Sequence, residues 1–465
     1  MDDPANQTYS RRFLAGIVLA ASFVLHGCGG GGGGGGGEDV GPNLQNSSTF
    51  DLVATNLGSI TVVEGADGPA VIPLQLNRLS TDNGPITLSA AGSTDADDRR
   101  VSVGFSTDTL VGDNNQAELM VWVGIDAQPI QSHQRTLLVR ASDGERTDEI
   151  TVNIDVQPTS APDIYLLVGQ SNMIGFSGDG TKRAGPGEPD EPNERIKQLH
   201  VTYNDENTLF TNESAFRNVQ RNVVAPAIIT AEDPLHEPLN LNTNRKDNDY
   251  IGLGLSFAKA ALNDTTADIV LVPAAWSGSA FCDNNQGPLG QWNADPTDNP
   301  SLGNTWLFDR AITRTNEAID QTGGVLRGSL WHQGESDAND ACAGIYLENL
   351  ERMAQQFRLR IKEDARGGEF RRADAPIPFI SGTMSRGFDE REDLSVFSPN
   401  KQLIDDFHRL LPTQLSYAGN SVHDDLVGPQ WPCGNTTCIH FGAEALRVIG
   451  TRYYEQLRIA AEDLQ

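Results

Sequence analysis

Apolar and polar residues alternate in short runs between about residues 48 and 156, and Gly, Asp and Asn separate the runs. The clearest runs cover residues 59–63, 70–76, 117–123, 136–140 and 149–156. Alternation with a period of two puts every second side chain on one face of a strand, so each run predicts a half-buried strand. Short strands at regular spacing are typical of a sandwich. We therefore predict a small all-β sandwich over residues 48–158.

The pattern changes after a short proline-bounded linker at residues 158–162. Continuous apolar runs now occur at residues 164–168, 269–273 and 326–331, and such runs are typical of strands in a buried parallel sheet. Helical stretches lie between and after them, at residues 252–262, 305–321, 346–363 and 443–457. Strands that alternate with helices predict an α/β fold with helices on both faces of the sheet. We assign residues 159–465 to this second domain.

The first 28 residues are predicted to be a processing segment. Arg11 and Arg12 precede an apolar run at residues 13–25, which is too short to span a membrane comfortably. The run ends in Leu-His-Gly-Cys, which resembles a bacterial lipobox and implies that Cys28 is lipidated. The glycine-rich residues 29–47 predict a flexible tether. The expected location is therefore the bacterial cell envelope, outer membrane or extracellular side, with the lipid as the only membrane contact.

The net charge of the chain excludes one class of binding partner. The chain has 465 residues and a formal net charge of −29. A phosphate polymer would be repelled by this charge, so we exclude nucleic acid as a partner. The charge is typical of a solvated acidic surface on a secreted protein. The oligomeric state is left open.

Four cysteines follow Cys28, and in an exported chain they suggest two disulfides with three possible pairings. Cys433 and Cys438 bound a short segment that resembles a small closed loop. That pairing leaves Cys282 with Cys342. The spacing does not suit a zinc site, so no metal is expected.

Polar sequences follow the ends of the predicted parallel strands, where α/β sheets bind their ligands. Ser171 lies in a glycine-flanked turn directly after residues 164–168, and Gly278 follows residues 269–273. Gln333 and Glu335 belong to an acidic segment that follows the strand ending at residue 331. A serine in such a turn projects its hydroxyl and leaves backbone N–H groups for an oxyanion. The late His440 supplies the base that a serine hydrolase needs.

These segments, in their order and spacing, resemble a known family. Residues 169–175 read Gly-Gln-Ser-Asn-Met-Ile-Gly, and residues 332–338 read His-Gln-Gly-Glu-Ser-Asp-Ala. An Ile-His pair at residues 439–440 precedes Gly-Thr-Arg at residues 450–452. The chain resembles the SGNH-type carbohydrate acetylesterases, meaning the sialate O-acetylesterase-like domain and the acetylxylan esterases of carbohydrate esterase family 6. The resemblance covers about residues 162–454.

The resemblance implies an SGNH-hydrolase, flavodoxin-like fold with a three-layer parallel sheet, and a reaction that removes acetyl groups from acetylated polysaccharide or sugar. Ser171 would be the nucleophile and His440 its base. The N–H groups of Ser171 and Gly278, with the side-chain amide of Gln333, would hold the oxyanion. No cofactor is implied. The preceding module resembles, at residues 139–154, bacterial cadherin-like or immunoglobulin-like modules.

One position departs from the family pattern. Members usually carry an acid three residues before the histidine, where this chain has Thr437. Glu335 is our first substitute for that acid, and Asp424 or Asp425 is the second. Glu335 would alternatively hold the loop by hydrogen bonds, and a Ser–His dyad is a further alternative. If Glu335 is the acid, Glu335→Gln should lower kcat by orders of magnitude and leave KM nearly unchanged.

Alternative functions follow from other features of the sequence. The missing acid at Thr437 suits a catalytically inactive binding protein on the same fold. The predicted sandwich would serve as an adhesion module or as a spacer. Asp95, Asp97 and Asp98 lie in one turn that is either a calcium site or a solvated loop. The acetylated sugar is left open, since nothing in the sequence encodes it.

Overall fold

The structure is a computed structural model. It describes residues 50–55, 58–66, 68–79, 83–91, 101–124, 130–175, 182–203, 223–236, 251–282, 291–294, 305–361, 377–386, 397–426 and 439–462. These residues belong to one compact unit, Ser48–Gln465. Cys28, the glycine tether, the three aspartates at residues 95–98 and the segment from Cys433 to Cys438 with Thr437 lie outside the described residues. No helix among the described residues is long and apolar enough to cross a bilayer.

The N-terminal part of this unit consists of strands. Their bounds are β1 Phe50–Ala54, β2 Ile60–Val63, β3 Ala70–Arg78, β4 Ile86–Ala91, β5 Val101–Phe105, β6 Thr109–Leu110, β7 Gln116–Val123, β8 His133–Ser142 and β9 Thr147–Gln157. One sheet has the order β1-β3-β7-β5 and the other β2-β9-β8-β4-β6. Apolar side chains alternate inward along these strands, as at Leu119 and Val121 of β7, and form one core. The resemblance to cadherin or immunoglobulin modules stays a prediction.

A seven-stranded sheet follows. Its strands are β10 Asp163–Gly169, β11 Ile196–Tyr203, β12 Val223–Thr230, β13 Ile269–Pro273, β14 Val325–His332, β15 Phe379–Gly382 and β16 Ala418–Ser421. The order is β12-β11-β13-β10-β14-β15-β16, and every neighbouring pair is parallel except β11 with β12. The first strand of the domain is therefore central, and the carboxyl ends of β10, β13 and β14 meet at one edge.

Helices cover both faces of this sheet. They are α1 Ser171–Ile174, α2 Gly254–Ala261, α3 Trp306–Thr322, α4 Tyr346–Arg360, α5 Pro399–Gln414 and α6 Ala443–Ala461. Leu166 of β10 packs with α3, α4 and α5, whereas Leu167 packs with α2 and α6. Successive strand residues face opposite sides, so one apolar run contributes to two cores. The predicted α/β architecture is confirmed, while its assignment as an SGNH-hydrolase fold stays a prediction.

A buried cluster of ionised side chains joins the N-terminal strands to the α/β sheet. Arg327 of β14 donates from Nε to Asp163 of β10 at 2.7 Å and from Nη1 to Glu64, just after β2, at 3.0 Å. All three side chains have 0% exposure. The hydroxyl of Thr265 donates to the second oxygen of Asp163 at 2.7 Å. Charged groups removed from water in this way must be paired, and these pairs link the N-terminal strands to the α/β sheet.

Candidate active site

Ser171 sits where the central strand β10 ends and the short helix α1 begins. Gly169 closes the strand with φ of +134°, and a Cβ at this position would clash with the carbonyl oxygen of His332. Only glycine allows this backbone conformation and this close approach. The next residue, Gln170, donates its N–H to the same carbonyl at 2.9 Å. The ends of β10 and β14 are thereby held together, and the hydroxyl of Ser171 projects at their shared edge.

His440 lies next to Ser171 in space, although the two are 269 positions apart in sequence. Its Nε2 lies 2.8 Å from Ser171 Oγ, within hydrogen-bond distance. The two residues are 4% and 8% exposed, so the pair is largely withdrawn from water while still reachable. His440 lies just before α6, which packs on α2 beneath the site. The serine and the histidine singled out by sequence are therefore brought together in a geometry suited to proton transfer.

Asn172, the residue after the serine, connects α1 to the chain around His440. Its side chain is fully buried. Nδ2 donates to the carbonyl of Ile439 at 3.0 Å, and Oδ1 accepts the N–H of Phe441 at 3.1 Å. Nδ2 also donates to Glu335 Oε1 at 2.7 Å. Sequence reasoning did not single out this residue, although it belongs to the block at residues 169–175.

The position of Glu335 differs from the direct role expected for it. Oε1 accepts from Asn172, and Oε2 is buried without a hydrogen-bond partner, so neither oxygen contacts His440. Burial raises the pKa of Glu335, and the hydrogen bond from Asn172 opposes that rise. The geometry thus matches the alternative in which Glu335 holds the loop by hydrogen bonds.

Gly278 lies on a loop that packs against the end of β10, the strand that precedes Ser171. Trp276 donates its N–H to the carbonyl of Gly169 at 2.9 Å, and Ser279 Oγ contacts the same oxygen at 3.4 Å. Gly278 itself is exposed and has φ of +69°. Within the described residues, the backbone N–H groups of Ser171 and Gly278 donate no hydrogen bond. Both groups therefore remain available to an incoming oxygen.

Gln333 does not fit the oxyanion role expected from the sequence. Its fully buried Nε2 donates to the carbonyl of Ser279 at 3.0 Å and to Asp337 at 2.7 Å, so both amide hydrogens are used. Its Oε1 accepts from the Tyr346 hydroxyl at 2.9 Å. Turning the amide over would place its oxygen against two acceptors, which fixes the orientation. In this structure Gln333 braces the loop that carries Gly278 and offers no donor to a substrate.

Asp337 is a second residue that sequence reasoning missed. Its carboxylate accepts the N–H groups of Phe281 at 3.0 Å and Cys282 at 3.2 Å, beside the bond from Gln333. Burial raises the pKa of Asp337 to about 6. A disulfide links Cys282 to Cys342, with Cα atoms 5.9 Å apart. Among the described residues, only these two cysteines with Asp337 are grouped closely enough to share a metal ion, and the disulfide consumes both thiols.

Asp424 and Asp425, the other candidates for an orienting acid, are exposed residues with arginine partners. Asp424 pairs with Arg386 and with Arg409, the latter at 2.8 Å. Asp425 forms two bonds of 2.6 Å to Arg452 on α6, and these bonds lower its pKa. Neither carboxylate contacts His440. Their hydrogen bonds to arginines therefore give neither aspartate the orienting role.

His332, the histidine of the segment at residues 332–338, is unsuited to act as a base. It is fully buried, and its Nδ1 lies 2.9 Å from the hydroxyl of Tyr453. Burial lowers the pKa of His332 to about 3, so the ring is neutral at physiological pH. His332 therefore contributes packing and a hydrogen bond beneath the site.

Part of the chain is similar to known carbohydrate esterases. Residues 161–366 match the family described as carbohydrate esterase, sialic acid-specific acetylesterase. A probable carbohydrate esterase of Arabidopsis thaliana is 31% identical over 127 residues, which make up 26% of this chain and 42% of the plant protein. A carbohydrate acetylesterase from Xanthomonas citri is similar with a TM-score of 0.43 and 19% identity, over 88% of this chain and 75% of that one. The family match covers less than half of this chain, and the aligned stretch spans less than half the length of the plant protein.

Proposed function

We propose that this protein is a carbohydrate O-acetylesterase of the SGNH type that acts through a serine nucleophile. The observation that carries the proposal is the 2.8 Å contact between Ser171 Oγ and His440 Nε2, at the carboxyl edge of the central strands. A hydroxyl paired with an imidazole is the arrangement that activates serine for attack on an ester. The family matched by residues 161–366 favours acetylated sugars as the esters.

In the proposed acylation step, His440 Nε2 accepts the proton of Ser171 as Oγ bonds to the acetyl carbonyl carbon. The carbonyl oxygen then carries the negative charge of the tetrahedral intermediate. When this intermediate collapses, the bond to the sugar oxygen breaks and His440 returns the proton to that oxygen. The products of this half-reaction are a free sugar hydroxyl and an acetyl group on Ser171.

Deacylation repeats the sequence with water as the nucleophile. His440 takes a proton from water, the hydroxide adds to the acetyl carbon, and Ser171 leaves with the proton as acetate forms. We assign the oxyanion to the backbone N–H groups of Ser171 and Gly278, which have no other acceptor within the described residues. One such donor typically contributes about 3–4 kcal/mol to the stability of the transition state.

The direct test is hydrolysis of p-nitrophenyl acetate, followed by acetate release from a panel of acetylated xylans, sialosides and other glycans. Ser171→Ala should lower kcat by roughly 10⁴-fold or more, because the acetyl acceptor is lost. Ser329→Ala is a matched control, since Ser329 is a buried serine of β14 whose hydroxyl has no hydrogen-bond partner. An inactive wild-type protein, or full activity in Ser171→Ala, would overturn the proposal.

The membrane anchor is a separate part of the proposal. The lipobox-like sequence that ends in Cys28 supports lipidation of that cysteine and an envelope location. Mass spectrometry of the N-terminal peptide from membrane fractions should show a diacylglyceryl group on Cys28. Cys28→Ala should move the protein from the membrane fraction to the soluble one, and retention at the membrane would refute the anchor.

A further inference from the structure

We propose that Asn172 is the positioning residue of His440, and that Glu335 serves by holding Asn172. This inference rests on the proposed function, in which His440 is the base for Ser171. It differs from the expectation that Glu335 contacts the imidazole directly. The role follows from three hydrogen bonds made by one buried amide.

Asn172 forms hydrogen bonds with the backbone on both sides of His440. Its Nδ2 donates to the carbonyl of Ile439 at 3.0 Å, and its Oδ1 accepts the N–H of Phe441 at 3.1 Å. These two bonds fix the backbone immediately before and after the histidine. Because Asn172 also follows Ser171 directly in sequence, one residue sets the base relative to the nucleophile. The hydrogen bond from Asn172 to Ile439 connects two residues that are 267 positions apart in sequence.

Glu335 determines which way the amide of Asn172 faces. Nδ2 has two hydrogens, of which one goes to Ile439 and the other to Glu335 Oε1 at 2.7 Å. In the flipped orientation the amide oxygen would oppose two acceptors, and the amide hydrogens would oppose the N–H of Phe441. The carboxylate of Glu335 therefore favours the orientation in which the Asn172 amide forms its hydrogen bonds with Ile439 and Phe441. Neutralising Glu335 does not remove this effect, since an uncharged carbonyl oxygen at the same place also accepts.

The bonds matter for rate because proton transfer depends on short distances. The Ser171–His440 pair is set at 2.8 Å, and a displacement of about 1 Å at such a pair can cost about 100-fold in rate. Because the side chain of Asn172 is fully buried, it should not contact the substrate, so the loss should fall on kcat with KM nearly unchanged. A purely structural role would instead lower thermal stability while the folded fraction kept its kcat.

The test measures kcat and KM for p-nitrophenyl acetate, together with thermal unfolding, in a set of variants. Asn172→Ala should lower kcat about 100-fold, because the hydrogen bonds to Ile439 and Phe441 are both lost. Asn172→Asp should be at least as impaired, because an oxygen then opposes Glu335 and Ile439. Asn349→Ala is the matched control, since Asn349 is a buried asparagine on α4 whose Nδ2 donates to the carbonyl of Ile345, the residue just before that helix.

Glu335 is tested by comparing a conservative with a truncating change. Glu335→Gln should keep kcat within about threefold of wild type, because its amide oxygen still accepts from Asn172. Glu335→Ala should lose at least about tenfold. The double variant Asn172→Asp with Glu335→Gln should recover about tenfold over Asn172→Asp alone, because the glutamine amide now donates to the aspartate.

The outcomes separate this inference from the proposed function. If wild type is active and Ser171→Ala is not, but Asn172→Ala keeps its kcat, the positioning role is refuted and the esterase stands. If Glu335→Gln is as impaired as Glu335→Ala, the charge of Glu335 matters and its role as a hydrogen-bond acceptor to Asn172 is refuted. If the wild-type protein hydrolyses no ester, the proposed function itself fails.

Discussion

Replacing Arg327 should reveal how strongly the N-terminal strands are bound to the α/β domain. The guanidinium is the cation shared by Glu64 and Asp163, and none of the three side chains is exposed. Arg327→Met keeps much of the side-chain volume but leaves two buried carboxylates without that cation. Glu64→Gln, by contrast, leaves the 2.7 Å bond from Arg327 to Asp163 in place, and its amide oxygen can still accept from Nη1. Its amide nitrogen would replace an oxygen that accepts from Nη2 and from the N–H of Thr159, both at 3.3 Å.

The two changes should differ clearly in magnitude. Removing one partner of a buried ion pair typically costs about 3–5 kcal/mol, and in Arg327→Met two carboxylates lose their partner, so we expect the upper end of this range or beyond. Replacing a charge-assisted hydrogen bond with a neutral one should cost about 1–2 kcal/mol in Glu64→Gln. Arg140→Met is a control within β8, because its pair with Glu149 is 49% and 38% exposed and should contribute below about 1 kcal/mol.

Urea unfolding at neutral pH, followed by tryptophan fluorescence, measures these differences as shifts in midpoint at constant slope. The reasoning predicts the order Arg327→Met, then Glu64→Gln, then Arg140→Met, from most to least destabilised. Equal losses in Arg327→Met and Arg140→Met would refute it, because the buried cluster would then contribute no more than a surface pair. A second, separate transition for the N-terminal strands would also refute it.

Two further predictions concern buried carboxylates. Burial raises the pKa of Asp233 to about 7 from 3.8, so wild type should lose stability as pH rises from about 4 to 7, by about 4 kcal/mol at most. Asp233→Asn should abolish this loss, raising the free energy of unfolding at pH 8 and not at pH 4, and equal effects at both pH values would refute the assignment. Asp337→Asn should lower kcat about tenfold or more, because its new amide group would oppose either Gln333 Nε2 or the N–H of Cys282 and so shift the loop of Gly278. The exposed Asp340→Asn is its control, and an unchanged kcat in Asp337→Asn would refute the bracing role.

Local sequence patterns were sufficient to predict the elements whose periodicity is strong. The continuous apolar run that became β10 and the serine turn after it were both predicted, because a buried strand and a glycine-flanked turn are local features. The late histidine was predicted from its motif. By contrast, β16, which reads Ala-Gly-Asn-Ser, has no apolar pattern, since pairing with β15 makes it a strand. Helix α5 was also missed, although Ser398 and Pro399 at its start are ordinary signals of a helix N-terminus.

The contacts of each polar side chain in the site depend on the folded arrangement of the whole domain. Gln333 was expected to face the substrate, but one of its amide hydrogens goes to Ser279, more than fifty residues away, and the other to Asp337, four residues away. Glu335 was expected at the imidazole, but its oxygen reaches Asn172. A motif specifies which residue types lie near a strand end. Hydrogen-bond direction depends on atoms brought together from distant parts of the chain, and local sequence carries no information about those distances.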